Sequence, residues 1–296
     1  MDLRAIAIGL AFALMWSSAF TSARIIVELA PPLTALALRF AISGAIGVAI
    51  AAALGQSARL TRGQWRSVVI FGLCQNTLYL GFNFVALEMV EASFASIVAS
   101  TMPLLVALAG WVVFRDRPRP LAMAGLGAGM AGVAIVMGGR LTGGVDPVGV
   151  MLCVAGVLAL TGATLTVRSA TSGGNLMMIV GLQMLVGSAA LWIPALAFET
   201  VVIVPSWTLA AAFAYTTLVP GLAATWVWFV LVGRIGPMRA ATFHFLNPFL
   251  GVAFAAALLG ERISRLDVLG VAIVSVGILA VQLSRGRAAV PPSGPA

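Results

Sequence analysis

The sequence predicts an all-α integral membrane protein, with ten transmembrane helices arranged as two inverted five-helix repeats around a central cavity. Three observations predict it. Only 9% of the 296 residues are charged and 61% are hydrophobic, where a soluble domain carries about 25% charged residues; the mean hydropathy is +1.09. The apolar residues gather into runs of the length that crosses a bilayer. One segment also occurs twice, 145 residues apart.

Taken in order, the apolar runs are 5–23, 33–54, 66–87, 93–114, 121–138, 148–168, 176–198, 207–232, 240–259 and 267–284. The joining segments are too short to hold a soluble domain. Met1 to Ala23, with Arg4 ahead of an apolar core, has the outline of a secretory signal. Its removal would leave nine runs and spoil the pairing described below, so it is read as the first span. Residues 285–296 are Pro-rich and are expected to be a disordered tail. Cys74 and Cys153 lie inside apolar runs, which suits inert thiols and not a disulfide framework.

Arginine sets the orientation. The formal charge of +8 comes from 17 basic residues, all Arg, scattered between apolar runs. That is the pattern of membrane orientation signals and not of a nucleic-acid-binding face. With the N-terminus in the cytoplasm, Arg4, Arg59, Arg62, Arg66, Arg115, Arg117, Arg119, Arg168, Arg234, Arg239, Arg285 and Arg287 fall on inner segments. Arg24, Arg140, Arg262 and Arg265 fall on outer ones, and Arg39 lies inside the second span. The cytoplasmic excess places both termini inside.

The repeat matches Ala95–Val136 to Ala240–Val281 without a gap, pairing Pro103 with Pro248, Arg117 with Arg262, Gly125 with Gly270 and Gly132 with Gly277. Asp116 pairs with Glu261, an acid with an acid. The halves are expected to be residues 1–140 and 147–284. Each holds an odd number of spans, so the second half enters the membrane upside down. Inverted repeats are a recurring transporter plan, with the substrate near the midplane where the halves meet.

The motifs that carry a family resemblance are MWSSAF of the first run, PPLTALALRF (Pro31–Phe40), ALEMVEASFASIVASTMPLL (Ala86–Leu105), and the stretch Val219–Gly270 with its closing LLGERI turn. In these the chain resembles the EamA-type ten-helix permeases of the drug/metabolite transporter superfamily, over nearly its whole length. The resemblance implies a multi-pass protein of the bacterial inner membrane that exports a small solute. It is nearest to the amino-acid exporters, including the aromatic amino-acid branch. Asp116 departs from the Glu usual in the family's first copy.

Polar groups inside hydrocarbon are costly, so their positions point to function. Gln75, Asn76, Tyr79 and Asn83 recur at helical spacing in the third span, and Ser93, Ser96 and Ser100 in the fourth. Thr161 and Thr164, Gln183, and His244 with Asn247 occupy the sixth, seventh and ninth. Trp16 and Ser17 lie in the first, Trp226 and Trp228 in the eighth. The functional reading is that these residues meet around a wet cavity, where amides and hydroxyls bind a zwitterion's charged ends and rings hold its side chain. The alternative is that the Ser and Thr hydroxyls bond back to their own helices, and Trp207 reads as an interfacial anchor. Pro103 and Pro248 free a carbonyl each and are expected to bend their helices as hinges. Arg39 meets either a substrate carboxylate or, as a structural ion pair, Glu28 or Glu88. Asp116–Arg117 and Glu261–Arg262 read as turn-capping charges. His244, the only histidine, is either a proton-coupling group or a neutral hydrogen-bonding one.

No cofactor or metal set is expected. Gly127, Gly129 and Gly132 spell G-x-G-x-x-G, but no strand precedes them; Gly125 and Gly129 form the GxxxG of close helix packing. The chain has no Lys, so no Walker A motif and no ATP-driven pump. The expected function is secondary, gradient-driven export of an amino acid or related metabolite, with membrane lipid as the other partner. The alternatives are a carrier of nucleosides, sugars or lipophilic drugs and, far behind, an intramembrane protease. A monomer is compatible with this plan.

Overall fold

A computed structural model describes residues 3–115, 119–142, 144–166, 174–235, 240 and 242–286. The turn at Asp116 and Arg117, and the tail from 287 onward, lie outside them. Among the described residues every regular element is a helix. The first span is α1 (Leu3–Ser17) and α2 (Ala19–Val27); the second is α3 (Pro32–Ala53). The third joins α4 (Arg62–Phe71) to α5 (Leu80–Ala86) through a π-helical stretch, Gly72–Tyr79. The fourth is α6 (Ala92–Ser100) and α7 (Met102–Phe114); α8 (Pro120–Thr142), α9 (Pro147–Thr166) and α10 (Leu176–Phe198) are the next three. The eighth joins α11 (Trp207–Thr216) to α12 (Ala224–Ile235) through a second π stretch, Thr217–Ala223. A 3₁₀ turn (Thr242–Leu246) leads into α13 (Asn247–Leu259), and α14 (Arg265–Gly286) closes the fold. Nine of these stretches are long and apolar enough to span a bilayer, and the shorter Phe243–Leu259 stands in the place of the remaining one.

Local chemistry explains where helices begin. Thr61 and Gln64 form a reciprocal capping box at α4, and the Ser206 hydroxyl accepts from Leu209 N–H at α11. Pro103 and Pro248 lie near mid-span, but at helix starts and not inside an unbroken helix. They fall in the first turn of α7 and α13, just after the chain has broken at Thr101 and Leu246. A helix start has no partner for the missing N–H anyway, so the prolines cost little there.

These irregularities repeat with the sequence. The π stretch at Gly72 recurs at Thr217, the break at Thr101 recurs at Leu246, and the left-handed helix end at Arg115 (φ 56°) recurs at Gly260 (φ 68°). Each lies 145 residues beyond its counterpart.

Equivalent helices of the two halves pack as antiparallel pairs. Glu199, just past α10, accepts from the backbone N–H groups of Leu33 (2.6 Å) and Thr34 (2.8 Å) and from the Thr34 hydroxyl at the start of α3. At the far end of the pair, Gln56 Oε1 accepts from Met178 N–H and Asn175 Oδ1 from Ser57 N–H. Glu261, past α13, accepts from Ala92 N–H (2.7 Å) and Ser93 N–H (3.0 Å) at the start of α6. A carboxylate there satisfies orphan donors and meets the positive end of the helix dipole. The halves are therefore inverted relative to one another.

The third pair, α8 and α14, is the tightest. A Cβ on Gly277 would stand 2.6 Å from the Gly125 carbonyl oxygen, and one on Gly132 would stand 2.7 Å from that of Gly270. The backbones touch, which is what small residues on facing helices permit. Gly127 faces open space, so the G-x-G-x-x-G spelling is an accident of this seam. Large apolar side chains, Phe40, Phe84, Phe94, Ile26 and Leu36 among them, fill the interior between the halves. Trp207 is 92% exposed at the head of α11, as an interfacial anchor should be.

Candidate functional site

Two adjoining cavities lie inside the bundle. The first, about 540 Å³ of open space, is walled by Trp16, Ala19, Phe20 and Ala23 of α1–α2 and by Arg39 of α3. Gln75, Tyr79, Leu80, Asn83, Phe84 and Leu87 of the third span and Pro220 of the eighth complete it. The second, about 460 Å³, is walled by Ser17, Ser96, Ala99, Ser100, Met102, Pro103, Leu160, His244 and Asn247. Trp16, Phe20 and Tyr79 line both and form the partition between them. Each cavity takes residues from both halves, as a site at the junction of two inverted repeats should.

In the second cavity Ser17 Oγ donates to Asn247 Oδ1 at 3.3 Å, and Asn247 Nδ2 lies 2.9 Å from His244 Nδ1. With Oδ1 taken by Ser17, the amide N–H reaches Nδ1, which acts as an acceptor; the ring proton then belongs on Nε2. Phe12, Trp16 and Trp228 surround the imidazole with centroids at 5.3, 6.4 and 5.2 Å. His244 is thus a hydrogen-bonded ring in an aromatic box. Ser100 lines the cavity while its hydroxyl bonds back to the Ile97 carbonyl.

In the first cavity Asn83 Nδ2 donates to the Tyr79 carbonyl at 2.7 Å, and its Oδ1 is buried with no hydrogen-bond partner. Arg39 is 5% exposed. Its Nε donates to the Thr216 carbonyl at 3.2 Å, and its guanidinium carbon sits 5.1 Å from the Phe40 ring centroid. The expected pairing of Arg39 with Glu28 or Glu88 is not formed. Arg24 takes Glu28, one turn along the same helix, at 2.7 Å, and reaches the Leu87 and Val90 carbonyls as well. Among the described residues no carboxylate lies within salt-bridge distance of Arg39.

The structure thus brings Trp16, Ser17, Gln75, Tyr79, Asn83, Ser96, Ser100, His244 and Asn247 to the cavity walls, with Pro103 among them and Trp228 behind His244. Others go elsewhere. Asn76 donates to the Gln183 carbonyl at 2.9 Å, so this pair fastens the third span to α10. Thr161 and Thr164 bond back to Val157 and Leu160 of their own helix and line neither cavity. Trp226 is 58% exposed on the outside of the bundle; two residues from Trp228, it falls on the opposite helix face. Sequence reasoning left out Phe20, Phe84 and Pro220 and set Arg39 aside. Phe20 was legible, one turn beyond Trp16. Arg39 carried its own signal as a lone charge inside a span.

The EamA-like transporter family model matches this chain twice, over residues 3–138 and 147–283. An uncharacterized inner membrane transporter of Escherichia coli (strain K12), YedA, is 27% identical over 94% of this chain and 90% of its own length. The aromatic amino acid exporter YddG of Ancylobacter novellus is 33% identical over 136 residues, 46% of this chain and 47% of that protein. A solved crystal structure shares the fold with a TM-score of 0.67, covering 96% of this chain and 98% of the other at 22% identity.

Proposed function

Because the chain belongs to the EamA-like transporter family, we propose that it is a secondary transporter that exports amino acids, aromatic or broad-range neutral, and related small metabolites across the inner membrane by alternating access. One observation carries this reading. Two adjoining cavities lie where the inverted halves meet, walled by aromatic rings, amides and hydroxyls, with no acidic side chain among their lining residues. A cation carrier would want a buried acid there. The likeness of one half to a protein named as an aromatic amino acid exporter supports the substrate class.

Residues 1–140 and 147–284 are the two moving units, with Pro103 and Pro248 as hinges. Spin-label distances across each proline, unchanged with and without substrate, would remove the hinge role. Both termini face the cytoplasm, following the arginine excess. An impermeant thiol reagent should then label a cysteine at position 88, but not one at 59, from outside intact cells. Transport is gradient-driven, because no carboxylate is among the described residues lining the cavities and His244 Nδ1 is engaged as an acceptor.

The test is counterflow of radiolabelled amino acids into liposomes containing the full chain. At least one amino acid should exchange. Trp16→Ala should impair exchange while Trp226→Ala leaves it intact. No exchange with any of the twenty would overturn the reading, and uphill movement driven by an imposed pH gradient would overturn the absence of proton coupling.

A further inference from the structure

We infer that the first cavity is a zwitterion subsite in which Arg39 holds the carboxylate of an α-amino acid and Asn83 Oδ1 holds its ammonium. This rests on the amino-acid reading above and gives it a chemistry.

Folding leaves two groups incomplete in one chamber. Arg39 is buried, and a buried guanidinium without a carboxylate is costly. One N–H is committed to the Thr216 carbonyl and the planar face meets Phe40. Five donors are available to an arginine, and the side chain lines the cavity. A carboxylate is what its fork geometry fits best. Asn83 supplies the complement. Its amide nitrogen is tied to the Tyr79 carbonyl, which fixes the side chain, and the oxygen is left buried and unpartnered in the same wall. An orphan acceptor in a dry site takes a donor, and an ammonium is the strongest one a small metabolite offers.

A cation and a bare acceptor in one chamber, with the rings of Trp16, Phe20 and Phe84 around them, match a ligand with a carboxylate, an ammonium and an apolar side chain. A free amine would leave Arg39 uncompensated. A simple carboxylic acid would leave Asn83 Oδ1 bare. A sugar has no group that requires the guanidinium. The second cavity, with His244, Asn247 and Ser17 already bonded to one another, offers no such pair.

The experiment uses the purified full chain in detergent, with ligand-dependent thermal stabilisation read as apparent Kd. The probes are two matched trios: L-phenylalanine, phenethylamine and 3-phenylpropionate; and L-leucine, isoamylamine and 4-methylpentanoate. In the wild type at least one amino acid should bind roughly 10- to 100-fold more tightly than its amine and its acid, the range expected for one charge-assisted bond. Arg39→Gln should lose that factor for the amino acid but not for the amine. Arg39→Lys should recover part of it. Asn83→Leu should lose it for the amino acid and the amine but not for the acid. If Arg39→Gln binds the amino acid as the wild type does, or if the wild type binds the amine as tightly as the amino acid, the subsite is wrong while export can still be right. The second criterion needs no variant, so a failure of Arg39→Gln to fold does not protect the idea. If none of the twenty amino acids stabilises the wild type or exchanges in liposomes, the export reading falls and the subsite with it.

Discussion

The α8–α14 seam allows one chemical change to be made at two places with opposite results. The change is Gly→Ala, first at 277 and then at 127. In an exposed helix interior it gains roughly 0.8–1.0 kcal/mol of helix propensity. Gly127 faces open space, so Gly127→Ala should keep whatever part of that gain a lipid-facing helix allows. At Gly277 the new carbon would stand 2.6 Å from the Gly125 oxygen, 2.6 Å from Gly129 N and 2.7 Å from Gly129 Cα. All three are backbone atoms, and none can swing aside. The helices must part by about an ångström, loosening the neighbouring contacts at Gly132 and Gly270 as well. Overpacking of this sort costs typically 1–3 kcal/mol. After the propensity gain, Gly277→Ala should be about 0–2 kcal/mol less stable than the wild type and, since both variants share that gain, about 1–3 kcal/mol below Gly127→Ala. Reversible unfolding in mixed micelles of dodecyl maltoside and SDS, followed by tryptophan fluorescence, reads the difference. Equal midpoints for the two variants would refute the close antiparallel packing of α8 on α14.

Other predictions concern helix ends and the loop charges. Glu261→Ala removes two hydrogen bonds to the start of α6 and should cost roughly 1–3 kcal/mol in the same assay, with Glu261→Gln milder, since an amide oxygen still accepts but carries no charge. Gly260 and Arg115 share the left-handed conformation, so Gly260→Ala should destabilise by about 1 kcal/mol while Arg115→Gly should stabilise by a similar amount; like signs would contradict the matched geometry. Burial, and then the nearby Glu199 carboxylate, raise the Glu88 carboxyl above its usual range, against the pull of Arg24. The folded chain then holds this proton more tightly than the unfolded one, so stability is lost as pH rises through that window. Glu88→Gln should flatten the decline in melting temperature as pH rises above the usual carboxylate range; an unchanged slope would contradict it.

Much of the fold was legible because the chain writes it twice. The offset of 145 residues located the second half, and the odd number of spans implied the inversion that the Glu199 and Glu261 caps bear out. The candidate site was legible only as far as helical period could carry it. Gln75, Tyr79 and Asn83 line the cavity, but Asn76 does not. The cause is the π stretch, in which bonds run to the fifth residue and each residue turns through a smaller angle. Four residues still nearly complete a turn, so Gln75 stays with Tyr79, while three fall well short and carry Asn76 round to α10. A uniform 3.6 period cannot show this. Trp226 and Trp228 could have been separated from sequence, since residues two apart in a helix never share a face. The direction in which Arg39 turns was decided by a partner far along the chain, the Thr216 carbonyl, which no local spacing reveals.

The two wide turns are one shape held by different residues. A π turn is an α-helix holding one surplus residue, and both halves hold theirs at the same place. The second copy maintains it with Pro220, which lacks an amide hydrogen; at the matching position the first has Gln75, and it ties Thr77 Oγ1 to the Gly72 carbonyl instead. One shape is thus reached by two chemistries, a missing donor in one half and a side-chain bond in the other, so it is the backbone geometry and not the residue type that the two halves have in common.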